Sequence, residues 1–219
     1  VTDTPLVSVI TPAWQRHGML LNRCIPSVQA QTWPRVEHMI ISDGPDPELS
    51  ALLTPRTDPV AAQDIRQDRT VPVWYRELPD HDPAEHWGSA ARLAGIEYAA
   101  GDLIAYCDDD DAFRPEHCAL LARALIRNPQ AGFALSRMVQ HGGAHDIVVG
   151  FGPLAAGNVG SPMIMHRRDV LAFGTWGEPS WIEDWMLVQR WLAMGVKFAS
   201  VNAETVDVWP SVYRTLREQ

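Results

Sequence analysis

Leu103-Ile104-Ala105-Tyr106-Cys107-Asp108-Asp109-Asp110-Asp111 is the stretch on which the reading of this chain turns. Its apolar first half, after Gly101-Asp102, predicts a buried parallel strand. Four aspartates close it, at the carboxyl end of the strand, where open α/β sheets hold their ligands. Neighbouring like charges repel by roughly 1 kcal/mol per pair at high effective dielectric, so gathering them calls for a reason. A hard divalent cation, Mg²⁺ or Mn²⁺, supplies one: it takes oxygen ligands and shares them with a bound phosphate. The competing reading is a solvated acidic turn ahead of a helix at Pro115. An EF-hand loop does not fit, because Ala112 replaces the third ligand and no glycine follows.

Working outward, the first half alternates strand and helix. Strands are expected at 6–11, 36–42 and 71–77, and helices at 19–30, 47–53, 83–100 and 115–127, with Pro83 suited to a first turn. That alternation predicts an α/β, Rossmann-like and mostly parallel central sheet flanked by helices. Residues 54–70, polar and proline-containing, read as a surface loop. The C-terminal half is less regular. Strands are expected at 133–140 and 161–166, with short ones at 196–200 and 205–208. A helix over 181–194 carries Trp185, Val188, Trp191 and Leu192 at helical spacing. The glycine-rich segment 142–160 has little periodicity and reads as a mobile loop over a site.

With 219 residues the chain is most simply one domain, and its net charge of −9 argues against a nucleic-acid partner. An anionic ligand must therefore be held by local means. Cys24, Cys107 and Cys118 lack metal or redox spacing and read as reduced core thiols of a cytoplasmic protein. No apolar run approaches the ~20 residues of a membrane span, so no integral membrane segment is expected. Nine tryptophans suit a site that stacks a base or a sugar ring.

The order of five short motifs resembles the family-2 inverting glycosyltransferases of the GT-A fold. They are Val7-Ser8-Val9-Ile10-Thr11-Pro12, Ser42-Asp43-Gly44-Pro45, Ala90-Ala91-Arg92-Leu93-Ala94-Gly95-Ile96, Tyr106-Cys107-Asp108-Asp109-Asp110-Asp111 and Ile182-Glu183-Asp184-Trp185. The resemblance runs from residue 6 to about 200. It implies a nucleotide-sugar half over 1–112 and an acceptor-side half over 113–219. By position, Thr11, Pro12, Ala13, Trp14 and Arg16 would form the nucleotide-contacting loop, with Gln15 in place of the usual asparagine. Asp43 would accept from the base N3–H, with Ser42 replacing an acidic neighbour. Arg92 would face the ribose or diphosphate, and Leu93 departs from the usual asparagine. Asp110 would ligate the metal, Asp108 the ribose or a metal-bound water, with Asp109 between them in the same nucleotide-sugar loop. The implied donor is a nucleoside-diphosphate sugar, most simply uracil- or thymine-linked, with guanine open; the partner is a hydroxyl-bearing acceptor.

For Glu183-Asp184 the residues add their own argument. Ser180-Trp181-Ile182-Glu183 has the capping-box pattern, which gives Glu183 a structural task. Asp184, in the first helical turn, would stay ionised beside the helix dipole and serve as general base, which is where the resemblance puts that role. The two roles are exchangeable on sequence grounds. His166, at a strand end, would reach acceptor or diphosphate, or be a buried hydrogen-bonded histidine. His81-Asp82 and His86 read as a polar loop. The implied reaction is a single displacement with inversion. Alternatives are a metal-dependent nucleotidyltransferase or phosphatase, or a catalytically silent sugar-nucleotide binding module.

Overall fold

The computed structural model describes residues 4–53, 70–81, 88–177, 180 and 182–209. Strand β1 (Val7–Ala13) is buried along its whole length, its apolar residues interrupted by the buried hydroxyls of Ser8 and Thr11. It is followed by α1 (His17–Met19), a π-helical turn (Leu20–Cys24) and α2 (Ile25–Gln29). Then come β2 (Val36–Ser42), α3 (Pro47–Leu53), β3 (Val73–Glu77), α4 (Ser89–Tyr98) and β4 (Leu103–Tyr106). The expected helix over 83–100 is described from Ser89; its start, and the loop expected at 54–70, fall largely outside the described residues.

The chain continues with β5 (Ala112–Phe113), α5 (His117–Arg127), β6 (Ala131–Gln140), β7 (Ile147–Val149), β8 (Ile164–Arg167), α6 (Glu183–Ala193) and β9 (Lys197–Val208). These strands form one sheet in the order β3-β2-β1-β4-β8-β6-β9-β5, with β7 paired to β6. The first four are mutually parallel; β8 joins antiparallel to β4 and to β6, while β6 and β9 run parallel with register shifts. Side chains alternate between two cores. Val7 and Val9 join Leu103, Ala105 and Cys107 on one face, and Ile10 joins Ile104, Tyr106, Phe133 and Trp191 on the other. Gly95 of α4 lies so close to β1 that a Cβ would meet Ile10 Cγ2 at 2.5 Å.

Three expectations change. The segment 142–160 is not featureless: β7 pairs with β6, and Asn158 bonds the Gly150 amide and the Phe151 and Pro153 carbonyls. The two strands expected at 196–200 and 205–208 are one, because irregularities let β9 stay paired through the polar stretch between them. Residues 161–163 form a 3₁₀ turn before β8 begins. No described helix is long and apolar enough to cross a membrane.

Candidate functional site

The parallel register of β1, β2 and β4 brings three strand exits together, each carrying polar side chains. After β1 the chain turns sharply, with Gln15 at φ +53°. Its two neighbours thereby both reach the acidic loop. The Trp14 amide donates to Asp109 Oδ2 at 3.1 Å; Arg16 pairs with Asp109 at 2.7 Å and with Asp110 at 2.5 Å. Arg23, on the π-helical turn, donates to the Asp110 carbonyl at 2.6 Å. After β2, Asp43 is buried and its amide bonds the Ala13 carbonyl at 2.9 Å. The His81 ring, just past β3, stacks on Trp14 at 4.0 Å and 12°. Its Nδ1 lies 3.0 Å from the Asp43 carbonyl oxygen and 3.2 Å from Oδ2. Both are acceptors, so Nδ1 carries the proton. An open cleft of about 540 Å³ adjoins Trp14, His17 and Asp46.

Arg92 joins this half of the site to the other. It lies on α4 and is 3% exposed. Its guanidinium donates to Asp108 Oδ1 at 2.6 Å and to Glu183 Oε1 at 2.5 Å, and lies 4.7 Å from the Trp176 ring. Glu183 opens α6 and also accepts from the Ser89 hydroxyl. Ser161 bridges the same groups: its hydroxyl donates to Asp108 Oδ2 at 3.2 Å, and its amide to Asp184 Oδ2 at 2.9 Å.

Negative charge is in excess here. Asp108, Asp109, Asp110, Asp111, Glu183 and Asp184 crowd together; among the described residues Arg16 and Arg92 form ion pairs with these carboxylates, and Arg23 reaches the Asp110 carbonyl. Burial, with Asp110 and Asp108 beside it, pushes Asp109 up to about 7 against the pull of Arg16. Burial and Asp108 push Asp110 up, and burial with the neighbouring aspartates pushes Asp111 well up. Glu183 is pushed up to about 7 by burial, which outweighs Arg92 and Ser89. Asp184 is likewise raised by burial, with Asp108 adding to it. Burial disfavours the charge on Arg92, but Asp108, Glu183 and Asp184 outweigh it and keep the guanidinium firmly protonated.

Among the described residues no three His, Cys, Asp or Glu side chains converge on one point as a metal cage. The donor set fits a cation of another kind, one held by one or two carboxylates and completed by ligand oxygens. Asp108 and Asp110 offer hard oxygens, and their mutual repulsion is what a divalent charge relieves.

Several expected positions differ. Arg92 does not face an open ribose or diphosphate place; its guanidinium is buried against carboxylates and Trp176. The capping box is not formed: Ile182 is the N-cap without a side-chain bond, and Glu183 turns instead to Ser89 and Arg92, one at each carboxylate oxygen. His166 is core, not site. Its Nδ1 donates to the Arg167 carbonyl at 2.8 Å, its Nε2 accepts from Tyr106 at 2.8 Å, and burial lowers it to about 4. The Thr11 hydroxyl likewise points beneath the sheet, 2.8 Å from His38 Nε2. Pro12 and Ala13 are buried backbone supports of the β1 exit. Ser161 and His81 were not among the expected site residues, since neither lies in a motif.

The sheet order β3-β2-β1-β4-β8-β6-β9-β5, parallel at one end and mixed at the other, is that of the GT-A fold. Solved structures share it, two of which follow. TarS of S. aureus, in complex with UDP-GlcNAc, superposes with a TM-score of 0.71 at 14% identity over 94% of this chain and 59% of that one. The mannosyltransferase PcManGT of Pyrobaculum calidifontis, in complex with GDP-Man and Mn²⁺, gives 0.66 at 12% identity over 96% and 58%. Residues 80–154 match the model of Glycosyl transferase family 2. A protein of Sinorhizobium fredii, y4gI, is 34% identical over 128 residues, 58% of this chain and 12% of that protein. Three further curated relatives, 28%, 29% and 30% identical, carry the word glycosyltransferase in their names. The chain spans 12% to 38% of the lengths of these relatives.

Proposed function

We propose that this chain binds a nucleoside-diphosphate sugar at the exits of β1, β2 and β4 and transfers the sugar to an acceptor hydroxyl with inversion. The observation that carries the reading is the bridge at Arg92, which ties the acidic loop to the carboxylate pair of α6. That bridge sets a donor-side group and a base-side group next to each other, as single displacement requires. TarS and PcManGT, whose structures hold UDP-GlcNAc and GDP-Man, support a nucleotide-sugar donor for this chain.

The division of labour between the two carboxylates follows from their partners. Glu183 is engaged by Arg92 and Ser89 and acts as a brace. Asp184, oriented by the Ser161 amide and raised by burial, is the general base. The acceptor oxygen forms its bond to the anomeric carbon as the bond to the diphosphate oxygen breaks, and the acceptor proton passes to Asp184. Asp110 and Asp108 would hold a divalent cation, Mg²⁺ or Mn²⁺, whose chemistry when bound is charge neutralisation at the diphosphate. Arg16, less buried than Arg92, is the guanidinium available to the same phosphates.

Calorimetric titration of UDP and of GDP, with and without Mn²⁺, into wild type and Asp110→Asn tests the donor site. Binding that requires the metal and is lost in the variant is expected. Metal-independent binding, or an unaffected variant, would remove Asp110 from the site. The failure of every nucleoside diphosphate to bind would remove the proposal.

A further inference from the structure

An aromatic face with a carboxylate acceptor at its edge recognises a planar ring bearing an N–H, because the ring stacks while the N–H donates. Trp14 and Asp43 form such a pair, and they already have an occupant. The His81 imidazole lies parallel to the indole, 12° off at 4.0 Å, with Nδ1–H shared between the Asp43 carbonyl and carboxylate at 3.0 and 3.2 Å. Gly44 makes room for the arrangement. A Cβ there would meet His81 Cβ at 2.8 Å, the His81 amide nitrogen at 3.0 Å and Trp14 Cζ3 at 3.1 Å. A three-residue span after β3 tethers the histidine, with the Leu78 amide fixed to the Ser42 carbonyl at 2.9 Å.

We infer that His81 is a resident stand-in for the nucleobase, seated on Trp14 and Asp43, which a nucleotide must displace in order to bind. The inference rests on the donor-site reading above. Its consequence is a sign. A side chain that forms a wall of a binding site weakens binding when removed; one that competes with the ligand strengthens it. The imidazole gives up a ring stack and a hydrogen bond to a charged group when it leaves, and together these set the fraction of protein that is open to the ligand. Removing that competition tightens binding by about tenfold.

The experiment is calorimetric titration of UDP, with Mn²⁺ present, into wild type, His81→Ala and His81→Phe, with GDP as a second probe and thermal unfolding as a check on folding. His81→Ala is expected to bind about tenfold tighter than wild type. His81→Phe keeps a ring but loses the N–H, and is expected to lie between the two. Detectable binding by His81→Ala alone would also support the inference. Equal or weaker binding by a folded His81→Ala would overturn it while leaving the donor site intact. If neither wild type nor His81→Ala bound UDP or GDP, the donor-site reading would fail and this inference with it.

Discussion

Replacing Arg92 by methionine tests the centre of the arrangement. The guanidinium is almost wholly buried and pairs with Glu183 at 2.5 Å and Asp108 at 2.6 Å. Methionine is flexible enough to fill much of the space, so the electrostatic loss dominates. Removing one partner of a buried ion pair costs about 3–5 kcal/mol. A domain of this size shifts its melting midpoint by about 2–4 °C per kcal/mol, so a fall of roughly 6–20 °C is expected at pH 8. The pH dependence carries the sign. Glu183 titrates at about 7 in the folded protein, above the unfolded carboxyl range, although Arg92 holds it down. Without Arg92 it rises further. The folded chain then binds that proton more tightly than the unfolded chain, so stability falls as pH climbs from the unfolded value through the folded one. The defect is therefore greatest at pH 8 and shrinks toward pH 5. Circular dichroism melts of Arg92→Met, Glu183→Gln and the double variant at both pH values form a cycle in which Glu183→Gln restores part of the loss. A fall below about 3 °C at pH 8, or no relief from Glu183→Gln, would refute the pairing as the source of stability.

Asp184→Asn is expected to reduce transfer about 100- to 10,000-fold while leaving UDP affinity unchanged; normal turnover, read by product formation, would hand the base role to another group. Gly95→Ala adds a methyl where Ile10 Cγ2 stands 2.5 Å away, and is expected to destabilise by about 1–3 kcal/mol in urea melts despite alanine's better helix propensity. His117 is buried, held 2.7 Å from the Thr205 hydroxyl and lowered by burial to about 3. The unfolded chain takes up that proton first, so stability is lost as pH falls below about 6.5. His117→Asn should therefore gain on wild type by about 1.4 kcal/mol per pH unit between pH 6.5 and 4, and parallel pH profiles of the two would refute this.

Strands rich in apolar and β-branched residues are legible in the sequence. The reading of 36–42 coincides with β2, and the strands expected at 6–11 and from Leu103 fall within one or two residues of β1 and β4. The acidic loop and the carboxylate pair could also be read, because each packs its chemistry into adjacent residues. What escaped reading was everything set by distant partners. Glu183 fits a capping box by its neighbours, yet it is claimed by Ser89 and Arg92, about ninety residues back. His166 carries the residue type of a site but ends up bonded within the core, which depends on Tyr106 standing opposite. Strand β5 is two residues long and exists because Ala112 and Phe113 meet Asp207 and Val206, a pairing invisible to any local pattern. Ser161 is an ordinary serine in a glycine-rich region until folding sets it between Asp108 and Asp184.

The position of β4 beside β8 has a consequence for how the protein is made. Leu103, Ile104 and Ala105 pair with Arg167, His166 and Met165, so one rim of the nascent sheet has no neighbour until nearly sixty more residues have been added. At a ribosomal pace of about 5–20 residues per second that delay lasts roughly 3–12 s. A bare strand rim is a template for another chain, and during this interval crowded nascent chains risk cross-pairing. Slower initiation, lower growth temperature or a holdase chaperone would then raise soluble yield without altering the finished protein, by keeping the open rim of β4 free of other chains until β8 arrives.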